Sequence, residues 1–136
     1  ANETELTDAA QFDGKSVAFE AGSAGESYVG GIEGVTINKK DVTSQMDAIK
    51  AVNTGTAQYA IVDVLLAQKL AGKGDYTNLV INEGIAIEKE EYAVGFKKGS
   101  ELTAKVNGVF KTLAENGFAA TLAEKYGLTN SLLLTK

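Results

Sequence analysis

An apolar strand, Val17–Phe19, runs directly into the Gly-rich turn Gly22–Ser23–Ala24–Gly25, and a helix starts near Gly25 or Glu26. That order points the unpaired N–H groups of a helix N-terminus at whatever lies above the strand end. Such a terminus favours anions through its free donors and the helix dipole. A second strand, Ala57–Val62, ends in Asp63 and is again followed by a helix. If the two strands are parallel neighbours, about 4.8 Å apart, an anion-binding turn and a carboxylate share one rim. A molecule carrying one charge of each sign complements that pair.

The rest of the chain keeps the same alternation. Lys15–Glu20 reads as the first strand and Gly25 to about Ile32 as a short helix closed by Gly30, Gly31 and Gly34. Gly34–Asn38 reads as the second strand. Thr43–Thr54 is a helix with Met46, Ile49 and Val52 at helical spacing, Thr43 or Ser44 as its cap and Gly55 as its stop. Tyr59–Val62 is short and apolar enough for a strand buried on both faces. A helix over Val64–Ala71 follows, then a fourth strand at Asn78–Ile81 and a fifth at Glu91–Lys97. Ser100 opens a long helix to about Asn116, with Leu102, Val106, Val109, Phe110 and Leu113 on one face; Phe118–Tyr126 forms the last helix. Residues 1–11 show no clear period and read as a loosely ordered segment, a linker left after processing. Residues 128–136 read as a tail.

Strand alternating with helix implies an α/β fold: a mostly parallel, doubly wound sheet of about five strands with helices on both faces. Right-handed crossovers constrain the order, and the order 2-1-3-4-5 sets strands one and three side by side. Ligands of such sheets bind outside the carboxyl ends of the strands, at the switch point. The turn after strand one and Asp63 after strand three both fall there.

Composition removes several chemistries. The chain of 136 residues contains no His, Cys, Arg, Trp or Pro. The usual zinc sites and Ser–His or Cys–His nucleophiles are therefore unavailable, and nothing calls for a cofactor or a metal. The net charge of −5, with dispersed lysines, argues against nucleic acid or an anionic membrane as partner. No apolar run approaches the roughly 20 residues of a membrane-spanning helix, and no signal peptide is expected. The Lys–Ser/Thr ending of a phosphate loop and the G-x-G-x-x-G pattern are both absent.

The segment FDGKSVAFEAGSAGESYV resembles the opening of the second lobe of amino-acid-type solute-binding proteins of ABC importers. QMDAIKAVNTGTAQYAIVDVLLAQKL is similar to that family's helix, Gly turn, buried strand and aspartate. EEYAVGFKKGSELTAKVNGVFKTLAENGFAATLAEKYG is similar to its C-terminal strand and two helices. The resemblance spans roughly residues 12–127 and implies a type II periplasmic-binding-protein-like lobe. It implies an amino acid as ligand, a membrane permease as partner and an extracellular or periplasmic location, with a lipid anchor in the precursor. The family's first lobe, which supplies an arginine and aromatic rings to the cleft, has no counterpart here. In the family, residues 92–127 would return to that lobe. Here they complete a single doubly wound domain or pack against a second copy in an exchanged homodimer.

The resemblance assigns the ligand carboxylate to the Ser23 hydroxyl and the N–H groups of Ala24 and Gly25, and the ligand ammonium to Asp63. Glu20 ends strand one within reach of a ligand side chain; its plain reading is an exposed strand end. Ser23 and Asp63 are equally good helix caps, and capping and binding can coexist. Tyr28 and Tyr59 read as packing residues, and Lys97 and Lys98 as a solvated strand end. Leu132–Leu134 covers core or sits in a partner. The leading expectation is thus a binding protein and not an enzyme: Glu20, Glu26 and Asp63 could act as acid or base, but no nucleophile or second catalytic group is in view. The alternative is a sensory or protein-interaction domain on the same scaffold. A flavodoxin-like cofactor binder rests on architecture alone.

Overall fold

A computed structural model describes residues 5–85, 87 and 91–134. Residues 1–4 and 135–136, which belong to the N-terminal segment and C-terminal tail expected from sequence, lie outside that range. The chain divides into two compact units, Ala1–Lys89 and Glu90–Lys136.

The first unit is α/β. Its sheet contains β1 (Ser16–Glu20), β2 (Asn38–Val42) and β3 (Tyr59–Ile61) in the order β2-β1-β3. Both pairings are parallel, with Ser16 opposite Asn38 and Val17 opposite Tyr59. The helices are α1 (Ala24–Gly31), α2 (Gln45–Asn53) and α3 (Val64–Leu70). The connection from β1 to β2 steps to one side, and the connection from β2 to β3 steps back across β1. Two right-handed crossovers in opposite directions put α1 and α2 on opposite faces.

The side chains of β1 record this. Val17 and Phe19 face a cluster with Leu6, Phe12 and Val29, flanked by Tyr28, Ile32 and Tyr59. Ala18 faces the other way, onto Ala48 of α2 and Ala57. Val17, Ala18 and Phe19 are fully buried, as a central parallel strand requires. The small pair Ala18 and Ala48 lets α2 lie close to the sheet.

Three sequence expectations change. The second strand is Asn38–Val42 and not Gly34–Asn38, because its ladder with β1 starts at Asn38. It is an edge strand, and its polar run of two lysines and an aspartate is what an open edge tolerates. Among the described residues Asn78–Ile81 and Glu91–Lys97 form no ladder, so three strands stand where five were expected. Val80 is 79% exposed and Tyr92 84%, so alternation there does not mark a buried face. Finally, within residues 5–12 Leu6 and Phe12 are buried, and Ala9–Phe12 is a 3-10 turn with a capping box between Asp8 and Gln11.

The second unit contains α4 (Leu102–Glu115) and α5 (Phe118–Lys125). Gly117, at φ 78°, makes the left-handed step between them. Ser100 Oγ accepts from the Leu102 N–H at 3.2 Å. At the far end of α5, the Leu128 N–H reaches the Ala123 carbonyl and the Gly127 N–H reaches that of Glu124, a Schellman closure. Among its described residues Ala114, Ala119 and Ala123 are buried.

Candidate functional site

Each strand of the sheet delivers its chain, at the carboxyl end, into a helix capped by a short polar side chain. Ser23 Oγ accepts from the Glu26 N–H at 3.3 Å. Ser44 Oγ accepts from the Asp47 N–H at 3.1 Å. Asp63 Oδ1 accepts from Leu65 N–H at 2.9 Å and Leu66 N–H at 3.2 Å. Three helix N-termini therefore meet one edge of the sheet, and the parallel register keeps them together.

Specific contacts tie the three turns. The Ala21 N–H donates to the Val42 carbonyl at 3.0 Å, joining the first turn to the end of β2. The Asp63 N–H donates to Gln45 Oε1 at 2.7 Å, joining the third turn to α2. The first turn also lies against β3: a Cβ on Gly25 would stand 3.1 Å from Ile61 Cγ2 and 3.2 Å from the Ile61 carbonyl oxygen. Glycine is what permits that approach. Ile61 pairs with Phe19 and precedes Asp63 by two residues, so Ser23–Gly25 and Asp63 occupy neighbouring positions on one rim.

The rim is partly self-satisfied. The Glu26 carboxylate accepts from the Gly22 N–H, so one anion-seeking donor of the first turn is occupied by the protein's own acid. Among the described residues, the N–H groups of Ala24 and Gly25 meet no acceptor, and Asp63 Oδ2 accepts no hydrogen bond. Donors and a carboxylate oxygen are thus open on adjacent turns. Glu20, half-buried at the end of β1, uses its carbonyl to receive the Ser23 N–H at 3.2 Å. In the second turn, hydrogen bonds from Ser44, Thr43 and Lys50, in that order, hold the Asp47 carboxyl below its ordinary range.

The rim is an open ledge. A concavity of about 480 Å³, lined by residues that include Asp8, Ser27, Tyr28 and Glu33, contains neither Ser23 nor Asp63. Burial first, and the charge of Asp8 second, push the Tyr28 hydroxyl pKa up. Among the described residues no group of three acids converges as metal ligands, and no helix is long and apolar enough to cross a membrane.

Gln45 and the β2–α2 turn were not anticipated as part of the rim. Ser44 and Asp47 repeat the spacing of Ser23 and Glu26, cap and acid three residues apart, and that repetition was the available signal. No protein-family model matches this chain.

Proposed function

We propose that this rim binds a small amino acid or a related polar solute, as a partial solute-binding protein of an ABC importer. The carrying observation is the adjacency, on neighbouring parallel strands, of the open Ala24 and Gly25 N–H groups and the unoccupied Asp63 Oδ2. The ligand carboxylate sits at the Ser23 hydroxyl and the two N–H groups. The ligand ammonium sits on Asp63, and Glu20 meets the side chain. The finer assignment, a type II periplasmic-binding-protein-like lobe delivering solute to a membrane permease outside the cytoplasm, rests on the sequence resemblance alone.

An exposed carboxylate–ammonium pair contributes only about 0–1 kcal/mol, and the ledge is open. Useful affinity in this chain therefore needs a second surface over the ligand, supplied by a second copy of the chain. A role as an interaction domain is the competing reading. It is favoured by Phe118 and Leu122 of α5 and its C-cap Tyr126, which are 53%, 43% and 64% exposed.

Calorimetric titration with a panel of amino acids, with solution mass measured alongside, tests the proposal. At least one ligand is expected to bind more tightly than about 1 mM, roughly −4 kcal/mol, and Asp63→Ala should abolish it. Weaker binding across the whole panel, or tight binding that survives Asp63→Ala, overturns it.

A further inference from the structure

Asp63 is held at two points. Its side chain caps α3 through Oδ1. Its backbone N–H lies beyond the last paired residue of β3, since the ladder with β1 ends at Ile61. The acceptor that a further strand residue would have supplied comes instead from the side chain of Gln45, the first residue of α2, at 2.7 Å. Gln45 is half-buried and neutral, so it provides this acceptor without setting a second negative charge beside the Asp63 carboxylate. A shorter amide loses reach, and a glutamate at this position keeps the acceptor while adding the charge.

We propose that Gln45 is a positioning residue for Asp63, fixing from the β2–α2 turn the carboxylate that receives a ligand ammonium. This rests on the reading of the rim as an amino-acid site. It also makes the second turn, which offers no ligand contact of its own, part of the site's energetics.

The test uses the full chain as wild type, Gln45→Ala, Gln45→Glu, Asp63→Asn and the double variant Gln45→Ala/Asp63→Asn. Amide hydrogen exchange at Asp63 is read in the free protein. Calorimetry reads the tightest amino acid of the panel. Gln45→Ala should speed exchange at Asp63 and weaken binding about five- to tenfold, the loss of one ordinary hydrogen bond. Gln45→Glu should restore slow exchange. Asp63→Asn removes the ammonium contact and should abolish binding with or without Gln45→Ala, while Gln45→Ala should still speed exchange at residue 63 in that background. Binding by Gln45→Ala within twofold of wild type, or a loss of binding with exchange at Asp63 unchanged, overturns the positioning role. Should no amino acid bind the wild type, the reading of the rim fails. Exchange then decides the Gln45 contact by itself, and unchanged protection at Asp63 in Gln45→Ala overturns it.

Discussion

Asp63 carries two loads on different atoms, and substitution can separate them. Oδ1 caps α3 while Oδ2 stays open. Asp63→Ala removes both and should cost about 1 kcal/mol of stability, the usual loss at an N-cap. Asp63→Ser keeps a capping oxygen and should stay within about 0.5 kcal/mol of wild type. Both variants should lose amino-acid binding, as read by urea unfolding beside calorimetry. Gly25 and Gly30 form a second contrast on one helix. Gly25→Ala drives a methyl toward Ile61 at 3.1 Å, whereas nothing lies within 4 Å of a Cβ on Gly30. The first should destabilise by about 1–3 kcal/mol through overpacking. The second should stabilise by about 0.4–1 kcal/mol by restricting the unfolded chain; thermal melts decide both. Asp47 has a folded pKa below its ordinary 3.8, so its contribution is present above that value and fades as pH falls through the folded one. Asp47→Asn should therefore flatten the acid limb of the stability profile below about pH 4. At this scale the caps were legible in the sequence because capping is local. The Gln45 contact was not, since it joins residues 18 apart in sequence.

At the scale of elements, helices were read to within about two residues, because cap, period and glycine stop all act within one segment. Strands depend on a partner. VAF in β1 is apolar and buried on both faces, and its place in the centre follows. NKKDV in β2 is polar and pairs because β1 lies beside it. LVI near residue 80 and YAVGF near residue 94 carry strand-like composition but find no ladder among the described residues. Period alone therefore cannot separate a paired strand from an extended one. Helix α5 shows the same dependence on context. Its alanines Ala119 and Ala123 are buried, while Phe118, Leu122 and the C-cap Tyr126 are exposed. Ala123→Leu should then destabilise by about 1–3 kcal/mol. Leu122→Gln should change stability by no more than about 0.5 kcal/mol, the reverse of what side-chain size alone suggests; both are read by chemical unfolding.

For the whole molecule, the parallel order β2-β1-β3 followed from alternation and handedness, and with it the convergence of the three turns. Period and composition mark no boundary between the two units, because helix and strand signals continue across it. The units differ sharply in what they bury. Ala1–Lys89 has a sheet with apolar clusters on both faces, including Phe12, Val17, Phe19 and Val29. Glu90–Lys136 has as its buried residues only three alanines among those described. Apolar burial contributes about 25 cal/mol per Å², against about 1–2 kcal/mol of backbone entropy for each ordered residue. Three buried alanines with the half-buried Val106, Phe110, Leu113 and Leu128 remove too little apolar surface to offset the ordering of a helical pair, whereas the first unit fully buries several large side chains. A fragment of residues 1–89 should accordingly unfold in one cooperative transition followed by circular dichroism, and a fragment of residues 90–136 should show no cooperative melt. Loss of cooperativity in the first fragment would mean that the sheet needs the helical pair to fold, and the rim at its carboxyl edge would then depend on the whole chain.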